Sequence, residues 1–445
     1  MDIAGLIPSF GSLFYTILAF VVALSVIVAI HEFGHYIVGR WSGIHAEVFS
    51  LGFGPVLFAR EDRRGTVWQV AALPFGGYVK FLGDASPASD KASEIMDTLD
   101  EETRRHTMHG APLWARAATV AAGPVFNFIL AILVFAGVSL IRGEAIEPPT
   151  VAQINPLPAA TGALQPGDTI LAIDGRPTPD YAAFYDTIEA LSVTAPLPYR
   201  VRRDGAEQVV PGPYPFPPLV AAVQPDSAAI EAGLRRGDVV LSVEGRPIAA
   251  FSQLQEAITG SDGQPVDMTV WRAGKVLEFT LTPRRRDLPL PDGGFDTRWL
   301  IGATGGLFFE PATTTPGPVT ALQNGVDQTW FIMKSSLSGV YHMVTGAISA
   351  CNLRGPIGIA ETSGVAARQG WLSFIGFIAV LSTAVGLLNL FPIPVLDGGH
   401  LMFHAYEAAT GRPPNDLALR ILTGIGLGLL VALMGFALTN DLFCR

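Results

Sequence analysis

The sequence predicts a multi-pass α-helical membrane protein with four transmembrane helices, a membrane-associated β-loop region and two small α/β modules. Three observations carry that expectation. Of 445 residues, 49% are hydrophobic and only 15% charged, a balance too apolar for an ordinary soluble chain. Four segments, at about 13–38, 117–141, 371–396 and 421–438, stay apolar for long enough to cross a bilayer. Between the second and the third, one pattern occurs twice: "LQPGDTILAIDGRP" from Leu164 and "LRRGDVVLSVEGRP" from Leu234.

The first span opens the N-terminal membrane half, 1–142. Residues 13–30 carry no charge, yet His31, Glu32 and His35 follow directly, and ionisable groups at membrane depth need partners. No Lys or Arg precedes Arg40, so the basic leader of a signal peptide is missing and the segment reads as an anchor. Arg40, Arg60, Arg63 and Arg64 follow the span, which puts the 40–115 loop in the cytoplasm and the N-terminus outside. Within that loop, "EVFSLGFGPVLFAR" and "TVWQVAALPFGGYVKFL" read as strands, the second apolar enough to touch the membrane. The polar stretch after Gly83 reads as a solvated loop with a short exposed helix.

The second span returns outward, leaving the large insertion outside. Each copy of the repeat pairs a Gly-Asp turn with an alternating strand and then an Asp-Gly or Glu-Gly turn, after a short helix ending in glycine. This gives modules at 143–214 and 215–287, joined at the Pro-rich "PGPYPFPP". A Gly/Pro/Thr-rich linker, 288–318, follows. In 319–350 apolar residues recur every three or four positions, the pattern of an amphipathic helix. The C-terminal membrane half, 351–445, holds the last two spans, with Arg412 and Arg420 marking the cytoplasmic side of the fourth. The C-terminus then lies outside.

Composition narrows the function. A net charge of −10 argues against nucleic acid, which wants a basic face. Cys351 and Cys444 are too few for a disulfide framework or a cysteine zinc cluster. His31, Glu32 and His35 spell H-E-x-x-H. On a helix, residues four apart share a face, so both imidazoles can hold one zinc while Glu32 reaches a water. A catalytic zinc wants a third protein ligand. His45 is one candidate, and Asp397 is another, because the deduced topology brings it to the same depth as the histidines.

The sequence HEFGH, together with Asn389-x-x-Pro392-x-Pro394-x-Leu396-Asp397-Gly398, resembles the site-2 protease family of intramembrane zinc metalloproteases. The paired modules are similar to PDZ domains, and with four spans the whole resembles the bacterial regulator-of-sigma-E protease branch. That resemblance implies a Zn2+ bound by His31, His35 and Asp397, with Glu32 as general base and acid. It implies that Asn389 helps hold an unwound substrate. "PFGGYVKF" at 74–81 resembles the family's membrane-associated β-loop, so Gly76, Gly77, Tyr78 and Val79 would pair with substrate as a strand. "GPVFN" at 123–127 and "RGPIGIA" at 354–360 are similar to two further signatures of the family. The implied partners are the lipid bilayer and a single-pass membrane protein, such as an anti-sigma factor already trimmed outside. The implied location is the bacterial inner membrane, with the termini and PDZ-like modules periplasmic and the active site near the cytoplasmic side. Two rivals are a non-catalytic PDZ membrane scaffold and a metal carrier. Glu32 between the histidines favours the enzyme over both.

Overall fold

The computed structural model describes residues 6–84, 99–158, 163–224, 227–290 and 294–444. In chain order, α1 (Leu6–Trp41) is followed by the hairpin β1 (Ala46–Glu61) and β2 (Val67–Phe81), the short α2 (Glu101–Arg104) and α3 (Leu113–Arg142). Next come β3 (Glu144–Ala145), β4 (Val151–Ile154), β5 (Thr169–Ile173), β6 (Arg176–Pro177), α4 (Tyr181–Ala190), β7 (Leu197–Arg203) and β8 (Ala206–Gly212). The second copy runs through β9 (Val220–Val223), α5 (Ala228–Glu231), β10 (Val239–Val243), β11 (Arg246–Pro247), α6 (Phe251–Thr259), β12 (Val266–Arg272) and β13 (Lys275–Leu281). Then follow β14 (Arg284–Pro289), β15 (Phe295–Leu300), β16 (Ala303–Gly305), β17 (Phe309–Pro311) and β18 (Thr313–Thr314). The chain ends in α7 (Pro318–Val344), α8 (Pro356–Arg368), α9 (Trp371–Asn389), α10 (Asp397–Thr410) and α11 (Asp416–Phe443). It divides into two compact units, one of Met1–Val138, Pro318–Tyr341 and Ala350–Arg445, the other of Ser139–Gly317 and His342–Ser349.

In the first unit, four helices among the described residues are long and apolar enough to cross a membrane: Leu13–Trp41, Leu113–Arg142, Trp371–Asn389 and Leu417–Phe443. The third stops seven residues before the expected end at 396. Pro392 and Pro394 have no amide hydrogen to continue a helix, so α9 closes at Asn389 and Asp397 opens a separate helix, α10. Gly398 and Gly399 let α10 start tightly against that connector, since side chains there would run into the carbonyls of Leu390, Phe391 and Ile393. Helix α1 packs on α9 through Ala23, Ile27 and Ile378. The base of the β1–β2 hairpin is buried with Tyr36, Phe49, Val79 and Phe81, whereas its far half exposes Phe53, Val56, Leu57 and Phe58. Of the polar stretch after Gly83, residues 85–98 lie outside the described residues; Glu101–Arg104 form the short helix.

The two cysteines form a bond that the sequence reading did not include. They cannot make a framework, but Cys351 and Cys444 are bonded to each other across 93 residues of sequence. Beside the bond, Asp441 accepts hydrogen bonds from the amides of Gly355 (2.8 Å), Ile357 (2.9 Å) and Gly358 (3.2 Å), satisfying the bare N-terminus of α8. The end of α11 is thereby fastened to the start of α8 twice.

In the second unit the repeat is plain. One four-stranded sheet has the order β6-β5-β7-β8 and the other β11-β10-β12-β13. Asp174-Gly175 and Glu244-Gly245, the turns expected from sequence, have positive φ at both residues. Each Gly-Asp turn holds an aspartate hidden from solvent. Asp168 takes two hydrogen bonds from Arg203 (2.6 and 2.7 Å), and Asp238 takes two from Arg272 (both 2.6 Å). Of the short helices ahead of the turns, α5 ends before Gly233 at φ +84°, while 159–162 in the first copy lies outside the described residues.

Residues 288–318 are not a linker. After the β14–β15 hairpin, β16 pairs with β9, β17 with β4 and β18 with β3, all antiparallel. The pairs nest like parentheses. The returning segment also fills both cores: Ile301 joins Val240, Leu254 and Met268, while Leu307, Phe308 and Phe309 join Ile170, Phe184 and Tyr199. Burying a phenylalanine contributes about 2–3 kcal/mol, which makes this segment part of each module's stability.

Candidate active site

His31 and His35 lie one helical turn apart on α1, and α10 brings Asp397 to them. His31 Nε2 stands 3.2 Å from His35 Nε2 and 3.2 Å from Asp397 Oδ2, while His35 Nε2 is 3.6 Å from Asp397 Oδ1. The three side chains are only 12%, 13% and 18% exposed. Among the described residues they form the one cluster of His, Cys, Asp or Glu able to share a metal ion.

This donor set fits zinc. Two ligands about 2.05 Å from one tetrahedral ion lie roughly 3.3 Å apart, close to the separations seen. Moreover, Asp397 Oδ2 is enclosed without a hydrogen-bond partner among the described residues. A cation between the three would answer both features.

Neighbouring groups orient the imidazoles. The Thr119 main-chain carbonyl lies 2.8 Å from His35 Nδ1. A carbonyl can only accept, so Nδ1 carries the hydrogen and Nε2 keeps its lone pair for a metal. Asn127 Nδ2 lies 3.1 Å from His31 Nδ1. Gly123, in the GPVFN stretch, has no room for a side chain because a Cβ would lie 2.6 Å from His35 Cε1 and 2.8 Å from His31 Cε1. Gly34 allows the same approach from α1, where a Cβ would meet Phe126 Cβ at 2.9 Å. Small residues thus let α1 and α3 close on the site.

A cavity of about 380 Å³ opens on the cluster, and it is lined by Glu32, Gly77, Tyr78, Val79, Asn389 and Asp397 among others. Strand β2 lies close on α1 here, since a Cβ added at Gly77 would be 3.2 Å from Glu32 Cγ. Of the residues singled out from sequence, His31, Glu32, His35, Gly77, Tyr78, Val79, Asn389 and Asp397 therefore share one cavity. Gly76 does not line it; at φ +145° it sits against the Phe53 ring. His45 is elsewhere, in a separate hollow with Arg40, Asp100 and His106.

Several lining residues escaped the sequence reading. Arg116 of α3, on the cavity wall with His109, His400 and His404, forms a two-pronged ion pair with Glu407 of α10. Burial, followed by the charge of Arg116, lowers the His404 pKa to about 4, so its ring is neutral at neutral pH. No spacing rule announces Arg116 and Glu407, which are 291 residues apart.

Comparison with known proteins gives a consistent picture. The model of peptidase family M50 matches residues 19–433. A Rhizobium meliloti protein provisionally named a zinc metalloprotease is 37% identical, covering 96% of both chains. A Brucella suis protein of the same provisional name is 35% identical, over 96% of this chain and 95% of its own. The regulator of sigma-E protease of Salmonella typhimurium is 34% identical, over 97% of this chain and 99% of its own.

Proposed function

Because this chain belongs to peptidase family M50, the zinc metalloproteases of site-2 type, we propose that it cuts single-pass membrane proteins within the bilayer, its substrate being an anti-sigma factor already trimmed outside. It is a zinc metalloprotease. The substrate class is suggested by the name of the Salmonella relative and by a catalytic cluster built on apolar spans. The observation that carries the reading is the meeting of His31, His35 and Asp397, from two distant helices, beside Glu32.

His31, His35 and Asp397 would hold the ion, which when bound polarises the scissile carbonyl and makes a water acidic. Glu32 takes a proton from the attacking water as its oxygen bonds to the carbonyl carbon. It then delivers that proton to the amine as the C–N bond breaks. A helical peptide bond is shielded by its own hydrogen bonds, so the substrate must first unwind. Pairing with β2 at Gly76–Val79 and with the Asn389 amide would replace the lost partners, and Gly77, Tyr78 and Val79 line the cavity.

The orientation we infer has both termini and the PDZ-like modules in the periplasm, with catalysis near the cytoplasmic face of the inner membrane. The Cys351–Cys444 bond supports this, since disulfides persist in oxidising compartments. The modules would act as a gate that turns away untrimmed substrates by bulk. The test of the enzyme reading is Glu32→Gln in purified protein. Zinc content should stay near that of the parent while cleavage of a membrane peptide falls at least about 100-fold. Appreciable cleavage by this variant would sink the assignment.

A further inference from the structure

Asn127 is fully buried, and its contacts are unusual for a packing residue. Its main-chain carbonyl accepts from Ser382 Oγ at 2.9 Å, and its Cβ faces Gly386, where an added Cβ would be 3.1 Å away. These contacts fix it between α3 and α9. Its Nδ2 points at His31 Nδ1, 3.1 Å away, while its Oδ1 has no hydrogen-bond partner among the described residues.

That orientation suits one tautomer of His31. His31 Nε2 then carries the hydrogen and donates to the bare His35 Nε2 at 3.2 Å, leaving Nδ1 free to accept from the amide. With Nε2 committed to a cation, the hydrogen must reside on Nδ1, and an N–H would face the amide's own N–H. Turning the amide over by half a rotation presents Oδ1 instead. We propose that Asn127 is a positioning residue for His31, its amide donating in the metal-free site and accepting in the loaded one. Thr119 serves His35 differently, because a main-chain carbonyl can only accept. A single side chain able to do both is what a site that must fill and empty requires of His31. The inference rests on the zinc reading given above.

The test uses the full-length protein in detergent, stripped of metal and titrated with zinc against a chelating dye. Melting temperatures are taken with and without zinc. Asn127→Leu removes both donor and acceptor; its zinc affinity should fall about 10–100-fold, and the rise in melting temperature on adding zinc should shrink. Asn127→Asp can only accept. It should bind zinc at least as tightly as the parent, with a lower melting temperature before zinc and a larger rise after it. A merely structural role would move both variants in the same direction. Equal loss of affinity in both variants, or parental affinity in Asn127→Leu, would overturn the proposal alone. A parent that binds no zinc would overturn the zinc reading and this inference with it.

Discussion

Arg116 at the start of α3 and Glu407 in α10 are joined by two parallel hydrogen bonds, Nη2 to Oε1 at 2.7 Å and Nη1 to Oε2 at 3.0 Å. Both side chains are less than a fifth exposed. Since α10 begins with Asp397, this pair anchors the helix that brings Asp397 to the two histidines. Arg116→Ala should cost roughly 3 kcal/mol of stability by stranding the carboxylate, and should weaken zinc binding about tenfold. Glu407→Gln, which keeps the shape, should do less of both. Denaturation and zinc titration in detergent measure the two effects; parental zinc affinity in Arg116→Ala would free α10 from this role.

Asp397 lies against His31 and His35, whereas His45 lies in a separate hollow. Asp397→Ala should lower zinc affinity at least about 100-fold and abolish cleavage, whereas His45→Ala should leave both unchanged. Metal content by mass spectrometry decides the matter, and a metal-depleted His45→Ala would contradict the geometry.

Gly123 gives a steric test. A methyl group there must push the two imidazoles apart, so Gly123→Ala should lose zinc and activity although no ligand is touched. Gly137, also on α3, has nothing within 4 Å of an added Cβ, and Gly137→Ala is the matched control expected to behave as the parent. Equal zinc binding by the two variants would count against the packing argument.

The gate is tested by deletion, with boundaries set by the nested strands. Removing 147–285 would strand β16 and β17 and leave Phe308 and Phe309 without their core, an aggregation hazard. Removing 144–317 and rejoining the ends with a flexible linker takes out the pairs together. Cleavage of untrimmed substrate should then appear, with trimmed substrate still cut. Continued resistance of the untrimmed form, with slower cutting of the trimmed one, would make the modules recruiting sites instead.

Much of this was legible beforehand because it is written in local pattern. The apolar spans, the H-E-x-x-H face and the doubled Gly-Asp turn each announce themselves within twenty or so residues. What stayed hidden depends on pairing across long intervals. Arg203 and Arg272 sit at matching places in the repeat, yet no local rule couples an arginine to an aspartate some 35 residues earlier. The short strands β16 to β18 have three, three and two residues, too few to show alternation, so their Gly and Pro content reads as linker. The disulfide was missed for a similar reason: two cysteines name no partner until the fold brings them together.

The nesting of those strands also reverses the order in which the modules can be completed. Synthesis runs from the N-terminus, and a growing chain folds what it already has. When β8 emerges, the first module still lacks β17, which lies beyond the whole of the second. The second module needs only β16 and is closed earlier, with β18 sealing onto β3 last of all. The copy that comes first in the gene is therefore finished second, and until then Phe184 and Tyr199 wait for the aromatic residues that will cover them.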